Sequence, residues 1–145
     1  MRFWDTSAIV PLLVDEPTSA SAGEWLREDD AVVVWTLTYV ELVSALERRA
    51  REGALSQTMA LSAQDLAVEI LDSAHEITAV SAAKGIAARL LRTHPLRAAD
   101  ALQLAAALLW VEGNPAGSVI HTFDERLGLA ALREGFRVVP SPTAD

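Results

Sequence analysis

The chain has 145 residues and is 51% apolar, which is sufficient for one buried core of its own. It contains no cysteine, which excludes disulfides and thiolate zinc sites, and its three histidines lack the spacing of a zinc motif. The formal charge of −8 argues against a broad basic surface for nucleic acid, although all cations except Lys84 are arginines, which bind phosphate through paired hydrogen bonds.

Short β-like runs alternate with longer helical patterns along the chain. The predicted strands are residues 2–4, 31–35, 77–80, 118–121 and 136–139. The predicted helices are residues 7–14, 19–27, 39–51, 56–73, 82–92, 98–112 and 125–133. We expect Pro11 to kink the first helix. The alternation predicts an α/β protein with a parallel sheet and helices on both of its faces.

The segments between these elements are short, so the sequence predicts one domain over residues 1–145, with a loose tail at 140–145. No apolar run approaches the roughly 20 residues of a membrane span. The start, Met1 to Asp5, is also unlike a signal peptide. We therefore expect a soluble, cytoplasmic protein with no membrane partner.

Two aspartates lie where a predicted strand passes into a helix. Asp5 follows the first strand and Asp124 follows the fourth, at the ends where open parallel sheets place their ligands. Each is also a good helix cap, and this reading stays open for both. Glu125 is a less suitable substitute for Asp124.

Two further acids lie near the start of helices. Glu41 ends Thr38-Tyr39-Val40-Glu41, which is typical of a capping box with Thr38 as the N-cap, and this structural role is favoured for Glu41 taken alone. Asp100 lies in the first turn of an almost wholly apolar helix, where a buried carboxylate needs a partner or a metal. The alternative for Asp100 is an exposed residue that interacts with the helix dipole.

Taken together, the four acids predict a site for a hard divalent cation if the strand order brings them to one edge of the sheet. Carboxylate oxygens suit Mg²⁺ and Mn²⁺, and such ions promote phosphodiester hydrolysis. The sequence has no serine, cysteine or histidine arrangement for a covalent mechanism and no Walker loop.

Four blocks of the sequence resemble the signature blocks of VapC-type PIN domains, in order and in spacing. They are residues 3–8 (FWDTSA), 37–46 (LTYVELVSAL), 96–105 (LRAADALQLA) and 122–127 (TFDERL). The departures are Trp4, where an aliphatic residue is usual, and Gln103, where histidine is common. The resemblance covers nearly the whole chain.

This resemblance implies a three-layer α/β/α fold with a central parallel sheet of about five strands. It implies Mg²⁺ or Mn²⁺ held chiefly by Asp5 and Asp100, with Glu41 and Asp124 completing the site directly or through water. Ser7 and Thr122 would support the metal ligands by hydrogen bonds. The implied activity is endonucleolytic cleavage of RNA by a toxin, which a VapB-like antitoxin inhibits, and the implied oligomer is a homodimer.

Several arginines are open to two interpretations. Arg97 precedes Asp100 by three residues. It either has a functional role, by neutralising a carboxylate or contacting a substrate phosphate, or is an ordinary surface residue. Arg48, Arg49 and Arg51 end a helix, where complementing the helix dipole is favoured over RNA contact. The four tryptophans, Trp4, Trp25, Trp35 and Trp110, are expected to pack in the core or at an interface rather than to stack on bases.

Three other functions compete with a toxin nuclease. A PIN nuclease that cuts DNA or matures RNA is the nearest to it. A non-catalytic acidic binding module is disfavoured because it has no need for four acids. A phosphatase or receiver-like domain is disfavoured because the first strand is not followed by DxD and Lys84 does not precede a proline.

Overall fold

Strands and helices alternate through residues 1–143, which are the residues that this computed structural model describes. The strands are β1 (Arg2–Trp4), β2 (Val32–Trp35), β3 (His75–Ile77), β4 (Val119–His121) and β5 (Arg137–Val139). The helices are α1 (Thr6–Leu13), α2 (Ser19–Glu28), α3 (Thr38–Arg51), α4 (Gln57–Asp72), α5 (Val80–Thr93), α6 (Ala98–Trp110) and α7 (Glu125–Arg133).

The five strands form one parallel sheet in the order β3-β2-β1-β4-β5. Phe3 is in register with Val33 on one side and with Ile120 on the other. From β1 the chain builds outward to β2 and β3, and it then returns to add β4 on the opposite side of β1. The strand order therefore reverses between β1 and β4, and parallel sheets bind ligands beyond the carboxyl ends of the strands at such a point.

Alternate side chains of the central strands enter two separate cores, because successive residues of a strand point to opposite faces. Trp4 and Val34 pack with α1 to α4 on one face. Phe3, Val33 and Trp35 pack with α5, α6 and α7 on the other. The prediction of an α/β fold with helices on both faces is therefore confirmed, as is the packing role of the buried Trp4 and Trp35.

The predicted third strand was placed wrongly. It was expected at residues 77–80, but β3 ends at Ile77, and Val80 already begins α5. His75 and Glu76 are exposed and polar, as is common on the edge strand of a sheet. An apolar run is therefore a poor guide to this strand.

The remaining expectations concern Pro11 and the tail. Pro11 is buried inside α1, and the helix continues past it to Leu13. The predicted loose tail of residues 140–145 falls partly on positions 144 and 145, which lie outside the described residues. No helix between residues 1 and 143 is long and apolar enough to cross a membrane.

Candidate active site

A cavity of about 650 Å³ lies beside the carboxyl ends of β1 and β4, where the strand order reverses. All four acids singled out in the sequence line it: Asp5, Glu41, Asp100 and Asp124. Four separate elements of the chain supply them, since Asp5 precedes α1, Glu41 lies on α3, Asp100 on α6 and Asp124 precedes α7. The fold thus gathers carboxylates that are far apart in sequence into one concave surface.

Asp5 is held firmly in the wall of this cavity, with only 4% of its surface exposed. Its Oδ2 atom accepts hydrogen bonds from the Ser7 hydroxyl at 2.6 Å, the Thr122 hydroxyl at 2.9 Å and the Ser7 backbone N–H at 3.2 Å. Its Oδ1 atom accepts no hydrogen bond from any residue between 1 and 143. Asp5 therefore caps α1, as one reading of the sequence had it, and still keeps one oxygen for a ligand.

Glu41 is fixed by a second network, which the sequence did not reveal. Its Oε2 atom accepts hydrogen bonds from the Thr6 hydroxyl at 3.0 Å and from Gln103 Nε2 at 2.5 Å. Gln103 is buried, and its Nε2 also lies 3.1 Å from the Thr38 hydroxyl. This network ties α1, α3 and α6 together around one carboxylate.

The capping-box reading of Glu41 was wrong. Helix α3 has Leu37, not Thr38, as its N-cap, and no side chain caps it. Thr38 is already helical and fully buried, and its hydroxyl accepts a hydrogen bond from Gln103 Nε2 instead of capping its own helix. Glu41 is therefore free to turn toward the cavity.

Asp124 and Asp100 lie on the other side of the cavity. Asp124 caps α7 by accepting the Leu127 backbone N–H at 2.8 Å through Oδ1, which leaves Oδ2 without a hydrogen bond among the described residues. Asp100, in the first turn of α6, is half-buried and has no hydrogen-bond partner in the described part of the chain. Among residues 1–143, no cation forms an ion pair with Asp100 or Asp124.

Burial and repulsion from neighbouring carboxylates raise the pKa of three of the acids, Asp5, Glu41 and Asp100. Burial raises the pKa of Asp5 above its usual value, with a contribution from Asp124, although the hydrogen bonds from Ser7 and Thr122 oppose it. Burial likewise raises the pKa of Glu41, while Gln103 and Thr6 oppose it. For Asp100, burial and then the carboxylates of Asp124 and Asp5 raise the pKa to about 6.

The donor set fits a hard divalent cation that keeps part of its water. Each of the four carboxylates has at least one oxygen that accepts no hydrogen bond from residues 1–143. No three acidic or histidine side chains among these residues stand close enough together to enclose an ion by themselves. Mg²⁺ typically binds through one or two carboxylates and retains several waters, so a spaced set of this kind suits it.

The three predicted supporting residues differ in what they contact. Ser7 and Thr122 both bond to Asp5, and their hydroxyl oxygens lie 3.2 Å apart. Arg97 is exposed and precedes α6, where its charge lowers the pKa of Asp100. Arg126 acts on Asp100 in the same direction and was missed in the sequence.

Sequence reasoning also missed Thr6 and the role of Gln103. One signal for Gln103 was available, because it follows Asp100 by three residues on an otherwise apolar helix and so shares its face. Nothing in the sequence distinguished Thr6 from an ordinary residue of a helix start.

Comparison with known proteins identifies relatives over almost the entire chain. Residues 2–133 match the family model of the PIN domain. Two proteins of Mycobacterium tuberculosis, ribonuclease VapC45 of strain CDC 1551 / Oshkosh and ribonuclease VapC49 of strain ATCC 25618 / H37Rv, are each 32% identical over 139 residues. Each alignment covers 96% of this chain and 94% of the relative.

The charge of Asp100 should destabilise the metal-free protein at neutral pH. Because folding raises the pKa of this carboxyl to about 6, the folded state holds the proton more tightly, and stability is lost as pH rises from about 4 through 6. In EDTA at neutral pH, Asp100→Asn should raise the melting temperature by about 2 °C, a small change because the side chain is half exposed. Thermal denaturation followed by circular dichroism measures this.

Asp65→Asn is the matched control, since Asp65 is exposed on α4 and neither lines this cavity nor contacts any of the four acids. The gain of Asp100→Asn over Asp65→Asn should shrink when both are measured at a pH of about 4. Equal melting temperatures for the two variants at neutral pH would contradict the destabilising role of Asp100.

Proposed function

The chain belongs to the PIN-domain family, and we propose that it is a metal-dependent endoribonuclease that acts as the toxin of a toxin–antitoxin pair. The observation that carries the proposal is the convergence of Asp5, Glu41, Asp100 and Asp124 on one cavity at the switch point of the sheet. The two mycobacterial relatives are named as VapC ribonucleases, which supports RNA as the substrate and a VapB-like antitoxin as the partner.

Within this proposal, Asp5 and Asp100 are the chief ligands of Mg²⁺ or Mn²⁺, and Glu41 and Asp124 complete the site directly or through water. When bound, the cation supplies Lewis acidity toward the phosphate and makes an attacking water more acidic. Its positive charge also relieves the repulsion that raises the pKa of Asp100. Binding of the cation would therefore favour ionised carboxylates, and ionised carboxylates would favour binding of the cation.

The protein's own contribution is to hold the acids in place. Ser7 and Thr122 both donate to Oδ2 of Asp5, so its Oδ1 is the oxygen that faces a ligand. Gln103 and Thr6 do the same for Glu41, because both donate to Oε2 and leave Oε1 free among the described residues. Hydrogen bonds that orient metal ligands typically matter nearly as much as the ligands themselves.

Replacement of Asp5 or Asp100 by asparagine should abolish metal-dependent RNA cleavage. The amide removes the negative charge but keeps the shape of the side chain, so the fold should survive. Cleavage of a structured RNA with Mn²⁺, with Mg²⁺ and with EDTA measures the effect, and an equivalent DNA tests substrate class. Asp65→Asn, outside the cavity, should retain full activity.

Full RNA cleavage by either variant would show that the site is assigned to the wrong residues. Cleavage of the DNA and not of the RNA would contradict the ribonuclease proposal while leaving a PIN nuclease in place. No cleavage of either substrate by the unaltered protein would support the non-catalytic alternative.

Ser7→Ala should weaken metal binding without removing a ligand. Asp5 Oδ2 would lose its shortest hydrogen bond, so its carboxylate would be less well oriented and harder to ionise. We expect the Mn²⁺ dissociation constant to rise about tenfold, as is typical when such a supporting contact is lost. Isothermal titration calorimetry measures it, with the exposed Ser62→Ala on α4 as the control.

The affinity of Ser7→Ala for Mn²⁺ should also fall more steeply than that of the control as the pH is lowered, because Ser7 lowers the pKa of Asp5. If Ser7→Ala and Ser62→Ala bind Mn²⁺ equally well, Ser7 does not support the metal site.

The toxin role predicts that induced expression arrests bacterial growth. Co-expression of a cognate VapB-like antitoxin should relieve the arrest, and Asp100→Asn should not cause it. Colony counts after induction, together with an assay of RNA cleavage in the same cells, measure both effects. Harmless expression of protein that is verified to cleave RNA would contradict the toxin role.

The homodimer stays a prediction of the family resemblance, and the cytoplasmic location stays a prediction from the apolar pattern of the sequence. Exposed apolar side chains at the start of α3, namely Leu37, Tyr39 and Val40, are consistent with a protein partner on that side.

A further inference from the structure

Two of the four carboxylates, Asp100 and Asp124, lie where two cavities meet. The cavity of about 650 Å³ that holds all four acids also extends along α3 to Ser44, Arg48 and Arg49. A second cavity of about 470 Å³ shares Asp100 and Asp124 with it. Since both cavities include these two acids, an extended polymer strand can run from one cavity into the other past their carboxylates.

Each cavity has arginines in its wall. Arg48 lines the first, and Arg97 and Arg126 line the second. All three are exposed, and none forms an ion pair with a residue in the described range 1–143. Arg49 differs, because Glu16 holds its guanidinium at 2.7 Å and the Ala45 carbonyl accepts a further hydrogen bond from it.

The helices set the spacing between acids and arginines. Glu41 and Arg48 are seven residues apart on α3, so they lie on the same face, roughly 10 Å apart along the helix axis. Arg97 immediately precedes α6, whose first turn bears Asp100, and Arg126 follows Asp124 by two residues in the first turn of α7. Arginines therefore line the cavities on both sides of Asp100 and Asp124.

An RNA strand needs these flanking charges to approach an acidic protein. The chain carries a formal charge of −8, and four carboxylates repel a phosphate at the reaction centre. Unpaired arginines beside the acids attract the neighbouring phosphates instead, through bidentate hydrogen bonds and release of counterions.

We infer that Arg48 on one side of the acids, and Arg97 with Arg126 on the other, bind the phosphates that flank the scissile phosphate of an RNA strand. This inference rests on the proposed function and names how the same site holds its substrate. Arg97 and Arg126 also influence the ionisation of Asp100, whereas Arg48 is not among the groups that do so. Arg48 is therefore the residue that tests phosphate binding separately from metal binding.

The experiment compares Arg48→Gln with Arg51→Gln. Arg51 is an exposed arginine at the end of the same helix, but it does not line either cavity. Both changes are made in the Asp100→Asn background, so that bound RNA stays intact. The probe is a fluorescein-labelled single-stranded RNA of about 12 nucleotides, and fluorescence anisotropy gives the dissociation constant over a series of KCl concentrations.

Arg48→Gln should raise the dissociation constant about tenfold at low salt, because a charged hydrogen-bonded contact is lost. It should also reduce the slope of log affinity against log salt by about 0.7, the value for one phosphate contact on a single strand. Arg51→Gln should stay within about twofold of its parent, with an unchanged slope. Arg48→Lys, which keeps the charge, should retain most of the slope.

Cleavage assays in the background with Asp100 intact separate this inference from the proposed function. There, Arg48→Gln should raise KM and leave kcat within about twofold, since a contact to a distant phosphate is made in the ground state and in the transition state alike. If the unaltered protein cleaves RNA but Arg48→Gln matches Arg51→Gln in affinity, slope and KM, the phosphate site is overturned and the nuclease stands.

If the unaltered protein cleaves no RNA, the proposed function fails whatever the arginine variants bind. If Arg51→Gln loses RNA binding as completely as Arg48→Gln in the anisotropy measurement, the loss is not specific to Arg48 and the phosphate site is overturned.

Discussion

The burial of the Asp5 carboxylate at the junction of β1 and β4 is the constraint on which the rest of the site depends. Asp5 is only 4% exposed, so ionising its carboxyl group is costly. The folded protein tolerates the charge because three hydrogen bonds converge on Oδ2. Those bonds come from Ser7 at the start of α1 and from Thr122 just after β4, while the Asp5 N–H donates to the His121 carbonyl at 3.0 Å. The reversal of strand order and the orientation of the carboxylate are thus secured by the same few contacts.

Glu41 is fixed in a comparable way, but through an amide that has to serve three acceptors. Gln103 Nε2 lies within 3.1 Å of oxygens on Thr6, Thr38 and Glu41, although it carries only two hydrogens. Its Oε1 is buried without a partner among the described residues, which is a further cost. If the side-chain amide of Gln103 were flipped, its Oε1 would face the carboxylate of Glu41, and the two oxygens would repel each other. The negative charge of Glu41 therefore fixes the orientation of this amide.

The sequence predicted most of the fold because its signals are local. Helices were recognisable from apolar spacing, and the strands that enter both cores were recognisable from their apolar runs. The edge strand β3 was misplaced because two of its three residues are exposed and polar. The four acids that line the cavity, Asp5, Glu41, Asp100 and Asp124, were singled out from their positions near helix starts, whereas Thr6 and Arg126 were not. The contacts of those two residues depend on how distant helices are arranged, and no local pattern encodes that arrangement.

The contrast between a net charge of −8 and the proposed RNA-binding site is resolved by where the charges lie. Net charge sets the long-range field, which salt screens beyond about 8–10 Å, whereas binding depends on the charges within contact distance. Most acids among residues 1–143 line neither cavity, and the exposed arginines include three that do. A central group of acids flanked by arginines attracts a cation to its middle and phosphates to its edges. The same arrangement disfavours a strand in the absence of the cation, because the unneutralised carboxylates then repel the phosphate between the arginines. Metal and RNA should therefore bind with positive cooperativity, each offsetting a repulsion that the other would otherwise meet.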